Sequence, residues 1–251
     1  MIPASYTGFH IFSNFPNLIC AFSIRMDGKS SGGNSDQEAR LKIGDKRQIL
    51  AENQRRFFKE FGILTEEIAL ADQIHSSNVS IVDKPGIYRQ SDALATSREN
   101  IFLAIQTADC FPIFIFDPHR QVVSAIHAGW RGVKSGILQT VIGKLKSRFD
   151  LRTANLFVAI GPGLQKDCFE VRSDVSKYFT DTYLAPHSDP DKKYLDLSGY
   201  IINRLMDLGI PGDQIQNQGD CTMCRMDLYY SYRRDKEQSG RMIGLIGMRS
   251  I

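Results

Sequence analysis

The feature that most restricts the fold is a series of short apolar runs between Ile101 and Ile126, each cut off by turn residues before it is long enough for a helix. The run IFLAIQ (101–106) ends at Thr107-Ala108-Asp109, IFIF (113–116) ends at Asp117-Pro118, and VVSAI (122–126) ends at His127. Branched and aromatic runs of roughly four to eight residues, bounded by Gly, Pro or Asp, read as buried strands. Similar runs at Val79 to Val82, Leu156 to Ile160 and Met242 to Met248 predict further strands of a central sheet. Two hairpin-like reversals within 101–127 would then bring Cys110 and His127 to the same end of that sheet.

Three helical patterns separate the strands. The first opens at Asp45, which with Gln48 makes a capping-box pattern, carries Leu50, Phe57 and Phe61 on one face, and stops at Gly62. The second runs from about Val133 to Phe149 with Ile137, Val141 and Leu145 aligned. The third runs from about Leu197 to Leu208, with Asp196 as its cap, Gly209 as its stop and Pro211 beyond. Residues 27–39 form the only Gly/Ser-rich polar stretch, too short for a linker between domains, and no repeat is present. The expectation is one mixed α/β domain of the α+β type over residues 1–251, a layered sandwich of mixed β-sheet flanked by helices.

Charge and composition narrow the partners. A net charge of +3 with no basic block is too small for a nucleic-acid footprint. No run approaches the roughly 18 apolar residues of a membrane span, and the first residues lack the basic start and cleavage site of a signal peptide. Five cysteines without an export signal favour reduced thiols over a disulfide framework. A cytoplasmic protein with neither nucleic-acid nor membrane partner is expected.

Chemistry-bearing residues stand where the apolar runs break. They are His75 in QIHSSNVSIV, Cys110 in TADCFPIFIFDP and His127 in AIHAGWRG. Two imidazoles and a thiolate suit zinc, and three protein ligands leave a coordination position for water or substrate. Any one of them, taken singly, reads first as a separately buried side chain. Asp109 is a candidate to orient a ligand imidazole or a bound water, or else it caps the turn. Gly129 and Gly132 surround Arg131 at a helix start, a place that favours an anion but is also ordinary architecture. Asn53 falls within the apolar stripe of the first helix, where a buried amide needs partners. Arg56 lies one turn on and either shares what Asn53 faces or is solvated. Tyr232, Arg233 and Arg234 form a charged stretch of the kind that is usually a solvated surface. Cys221 and Cys224 have zinc-knuckle spacing, but no second Cys or His pair stands at a matching distance, so they make only half a knuckle. The nucleobase-deaminase signature is absent, since no histidine is followed by Glu two residues on and Asp220 precedes Cys221.

The strings QIHSSNV, TADCFPIFIFDP, AIHAGWRGV, AIGPGLQKDCFEV and SYRRD followed by GR, in this order, resemble the laccase-domain, YfiH-like purine nucleoside phosphorylases, long labelled polyphenol oxidases. The pattern at Glu52 to Phe57 extends the likeness toward the N-terminus. The resemblance implies metal ligands at His75, Cys110 and His127, with zinc the expected ion and copper the alternative, and purine nucleosides and phosphate in a pocket between layers. In the N-terminal third the family's usual FSTR.GG.S and SLNLG become FSIRMDGKSSGG and a segment containing Gln37 to Arg40. Arg25 survives that change as a pocket candidate.

The expected activity is therefore phosphorolysis of adenosine, inosine and methylthioadenosine, with accessory adenosine deamination, by a monomer or homodimer. Cys110 and Asp109 are the candidate catalytic residues; Arg25, Asn53, Arg56 and Arg233 are the candidate substrate-binding residues. Rivals are a zinc amidase editing a peptidoglycan precursor, as some relatives are described, and a weak copper-dependent polyphenol oxidase. A true multicopper laccase needs about eight further histidines, and three remain. A non-catalytic binding module would need a fourth protein ligand, for which Cys168 is the candidate.

Overall fold

A computed structural model describes residues 6–25 and 54–250. Two six-stranded sheets dominate it. The first has the order β1 (Tyr6–Gly8), β2 (Leu18–Ser23), β15 (Met242–Met248), β7 (Phe102–Thr107), β3 (Ile68–Asp72), β5 (Gly86–Arg89). The second has the order β14 (Ile215–Asn217), β10 (Phe157–Ile160), β8 (Phe111–Asp117), β9 (Val122–Ala128), β6 (Ala93–Thr96), β4 (Val79–Ile81). A small third sheet joins β11 (Glu170–Arg172), β13 (Lys192–Leu195) and β12 (Leu184–Pro186). Both large sheets are mixed, with β3 parallel to β5 and β7 in one and β10 parallel to β14 in the other.

Side-chain alternation explains the layering. Successive residues of a strand point to opposite faces, and the central strands β8, β9 and β15 are buried along their whole length. Phe114, Phe116, Val123 and Ala125 of the second sheet meet Phe22, Leu103, Ile105 and Ile246 of the first in a core between the sheets. The alternate residues Phe111, Ile113, Ile115 and Ile126 face outward instead. There they pack beneath helices α3 (Ile137–Phe149) and α5 (Leu197–Asp207). On the far side, Ala21, Phe102, Ala104 and Leu245 pack against Phe57 and Phe58 of the helical residues 54–60, designated α1. Short helix α2 (Trp130–Lys134) follows β9 directly, and α4 (Ser173–Ser176) and α6 (Tyr232–Asp235) complete the α-helices among the described residues.

The expected layered sandwich with mixed sheet and flanking helices is present, with two corrections. The apolar runs belong to two facing sheets, not one central sheet. Runs 101–106 and 113–116 do not form a hairpin, because β7 pairs with β15 and β3 whereas β8 pairs with β9 and β10. The chain crosses from one sheet to the other at residues 108–110. Runs buried on both faces carry no polar alternation that would show which neighbours they choose. The helix expected over 133–149 is also split, since Gly136 adopts φ 82° and separates α2 from α3. The third helix is as expected, with the Asp196 carboxylate accepting from Gly199 N–H and Gly209 at φ 92° beyond its end. Of the first, only the C-terminal part is described, with Gly62 at φ 64° closing it. Asp45, Gln48, Leu50 and Asn53 lie outside the described residues.

Candidate active site

The crossover between sheets builds the site. In the β8–β9 ladder Phe111 pairs with Ala128 and Pro112 with His127, so Cys110, one step before β8, arrives beside the end of β9. His127 is the next-to-last residue of β9, with the same parity as Val123 and Ala125, and so it turns toward the inter-sheet side. His75 comes from the other sheet, in the loop after β3. Gln73 ties that loop down, its amide donating to the Gln106 carbonyl (2.8 Å) and accepting from the Gln106 N–H (2.7 Å).

The ligand atoms of His75, Cys110 and His127 lie within 4.8 Å of one another. The two imidazoles meet edge to face with centroids 4.7 Å apart. Gly129 makes this approach possible, because a Cβ there would sit 2.8 Å from Cys110 Sγ and 3.2 Å from His75 Cδ2. Two residues of the site hold positive φ without being glycine, His75 at 61° and Asp109 at 85°. Such backbone is costly and persists where surrounding contacts enforce it.

At His75 the enforcing group is Asp92. Fully buried just before β6, its carboxylate accepts from the N–H of Ile74 (3.2 Å), His75 (2.8 Å) and Ser76 (2.7 Å), and from Ser76 Oγ (2.7 Å). Its Oδ1 also lies 2.8 Å from His127 Nδ1. Asp92 therefore shapes the His75 loop and fixes the ring of His127, leaving His127 Nε2 to face Cys110 and His75. Burial pushes the Asp92 carboxyl up, but bonds from His127 and Ser76 outweigh it and hold it well below the usual range. Burial likewise raises the Cys110 thiol, and the charge and hydrogen bonds of His127, then of His75, bring it down to about 6. For His127 burial acts downward, and the Cys110 thiolate and Asp92 lift it to about 9. The three groups thus favour a thiolate beside an imidazolium, a charge state set up for a cation to replace the proton.

The trio opens on a cavity of about 790 Å³. Its wall carries the cations Arg131, Arg233, Lys236 and Arg241, the aromatics Trp130, Phe169 and Tyr232, and Thr107, whose buried Oγ1 has no hydrogen-bond partner among the described residues. Arg131 lies over Trp130 at 4.5 Å, and Arg233 over Phe169 at 5.5 Å with Nη1 donating to the Glu170 carbonyl (3.0 Å).

Sequence-predicted residues divide accordingly. Asp109 lines the cavity, but it does not orient an imidazole; Asp92 does. Both Asp109 oxygens are engaged, one by Thr222 Oγ1 (2.7 Å) and one by Arg233 N–H (2.6 Å), so Asp109 fastens the C-terminal loop to the crossover. Arg233 is in the wall. Arg25 and Arg56 are not among the lining residues: Arg25 lies over Tyr230 at 5.3 Å, and Arg56 is on the exposed side of α1. Arg234 is no solvated charge, since it donates to the carbonyls of Thr222, Met223 and Tyr229 and pairs with Asp235. Cys168 stands apart from the His/Cys/His trio, its sulfur 3.3 Å from that of Cys224. Asp92, Lys236 and Phe169 were missed by sequence reasoning. Arg241 stands in a matching string that assigned it no role.

The comparisons with known proteins agree with this architecture. A family model described as multi-copper polyphenol oxidoreductase laccase matches residues 19–249, and the chain belongs to that family. Among individual relatives it is similar to a purine nucleoside phosphorylase of Deinococcus radiodurans, 33% identical over 237 residues covering 93% of this chain and 91% of the relative. It is also similar to adenosine deaminase RL5 from an unknown prokaryotic organism, 27% identical and covering 80% of each chain. Among solved structures, the hypothetical protein YfiH of Bacillus licheniformis superposes with a TM-score of 0.87 at 25% identity, over 99% of this chain and 98% of that one.

Proposed function

We propose that this protein is a zinc-dependent purine nucleoside phosphorylase acting on adenosine, inosine and methylthioadenosine, with adenosine deamination as an accessory activity, and that residues 1–251 form one domain. The observation that carries the proposal is the meeting of two features in one cavity: a thiolate and two imidazoles within 4.8 Å of one another, and a wall bearing four cationic side chains. The donor set fits a zinc ion on chemical grounds, one soft sulfur and two nitrogens with the second His nitrogen already held by a carboxylate. His75, Cys110 and His127 would be the ligands, with copper as the alternative ion. Bound there, zinc supplies a Lewis acid with a free coordination position.

The chain's own residues supply the rest. Phosphate is the nucleophile: one of its oxygens bonds to the ribose anomeric carbon while the bond to the purine nitrogen breaks, its electron pair leaving with the base. Arg233 and its neighbours Lys236 and Arg241 bind and orient that phosphate, the planar guanidinium matching two of its oxygens at once. Arg131, at the start of α2, adds a further charge to the cavity wall. Phe169 and Tyr232 offer flat apolar faces for a purine. A cavity of this size lies within the usual range for small-molecule sites, about 300–1,000 Å³.

The test is chromatographic. Purified protein with inosine should yield hypoxanthine and ribose 1-phosphate only when phosphate is added. Base release that ignores phosphate, or none with any purine nucleoside, would overturn the proposal. The relative named as an adenosine deaminase supports running adenosine in parallel, with inosine formation as the readout.

A further inference from the structure

The CxxC of residues 221–224 looks like half a metal site in sequence, and the fold supplies a third thiol. Cys168, at the end of the short 3-10 turn Lys166–Cys168, brings its sulfur to 3.3 Å from Cys224, 56 residues further along the chain. The three sulfurs of Cys168, Cys221 and Cys224 lie within 4.8 Å of one another, and none of them is in a disulfide. We propose that these three cysteines form a second, thiolate-only metal site for zinc or another soft divalent cation, separate from the cavity trio.

A further observation supports it. The two loops are already docked by their main chains. Gly163 bridges Cys221, Gly163 N–H donates to the Asp220 carbonyl (3.2 Å), and Thr222 N–H donates to the Gly163 carbonyl (3.1 Å). Separations this short between three sulfurs match ligands around one ion, for which metal–sulfur bonds of about 2.3 Å are usual. Cys224 is exposed, so solvent water or an external donor completes the shell. Each ligating thiol gives its proton to solvent as the metal binds.

The site would act as a clip. From Cys221 the chain runs through Thr222, which bonds Asp109, to Arg233, which bonds Asp109 and lines the cavity. A metal across Cys168 and the 221–224 turn would pin that loop without touching substrate.

Metal counting decides the matter independently of catalysis. Wild type purified under reducing conditions with zinc should hold two equivalents per chain by plasma mass spectrometry. Cys110→Ala should hold one, and Cys221→Ser/Cys224→Ser should hold one. In cobalt-loaded protein the double variant should lose most of the sulfur-to-metal charge-transfer absorbance while Cys110→Ala keeps it. One equivalent in wild type, lost entirely in Cys110→Ala, would overturn the proposal, as would a Cys168–Cys224 disulfide surviving reductant. If the double variant fails to fold, the count in Cys110→Ala settles the question alone.

Discussion

Asp92 is the side chain on which the ligand geometry depends most, because five donors from two segments converge on its carboxylate. Replacing it by Asn puts an N–H₂ group against some of those donors. Losing bonds to a buried charge of this kind should lower unfolding free energy by about 3 kcal/mol, and zinc affinity should fall roughly 10- to 100-fold as the His127 ring loses its partner. Denaturant titration of metal-free protein measures the first and chelator competition the second. Gly129→Ala is the complementary change: it leaves Asp92 intact but sets a methyl 2.8 Å from Cys110 Sγ. Its metal affinity should drop more than its stability does. A third test uses the thiol itself. Because Cys110 is held down to about 6, its reactive thiolate persists until pH falls through that value. Iodoacetamide labelling of the Cys110 peptide in metal-free protein should therefore show a midpoint near 6, and added zinc should suppress it. Cys168, pushed up to about 12 by burial and its neighbouring cysteines, should label slowly across the same range. His75, Cys110 and His127 were legible in sequence because each interrupts an apolar run at a turn. Asp92 was not, since its partners lie 17 and 35 residues away and its own string, SDALA, looks like any turn before a short strand.

Among the elements, β15 sets the distance between the sheets. Gly244 lies in its middle, and a Cβ there would meet Phe114 Cζ of the opposing sheet at 2.6 Å and Ile105 Cγ1 at 3.3 Å. Gly244→Val would wedge the sheets apart, an overpacking that costs about 1–3 kcal/mol. The wedge also carries a functional consequence, because the His75 loop is tied to the first sheet through Gln73 and to the second through Asp92, while Cys110 and His127 belong to the second. Thermal denaturation should therefore show a lower midpoint, and metal content should fall with it. A variant with normal zinc content and a lowered midpoint would mean that the ligand loops are anchored independently of sheet spacing. Such coupling was invisible in the sequence for the reason that hid the two-sheet arrangement. Strands β7, β8, β9 and β15 are apolar on both faces, so their residues show that they are buried but not against what. Helix α5 was readable to within a residue because Asp196 and Gly209 mark its ends chemically. The break between α2 and α3 was not, since Gly136 inside an apolar periodic stretch looks like a tolerated helical glycine.

At the scale of the whole molecule, a metal held by the trio would join the layers. The trio draws one ligand from the loop after β3 in one sheet and two from β8 and β9 in the other, positions that come together only in the folded chain. An ion that binds the native state and not the unfolded one adds stability of about 2.7 kcal/mol at a free concentration 100 times Kd. For a chain of this length each kcal/mol is worth roughly 2–4 °C, so loss of the trio's ion should lower the wild-type midpoint by about 5–10 °C, and chelation, which strips the cysteine site too, by that amount plus the second ion's share. The Cys110→Ala variant separates the contributions, because it removes the inter-sheet ion and leaves the cysteine clip untouched. Its midpoint should start lower than that of zinc-loaded wild type, and chelator should still lower it further by whatever the ion at Cys168, Cys221 and Cys224 contributes. Scanning calorimetry of both proteins, with and without chelator, gives the four midpoints needed. Equal chelator shifts in the two proteins would show that the His/Cys/His ion does not cross-link the sheets. A shift in wild type with none in Cys110→Ala would assign all of the metal-linked stability to the cavity.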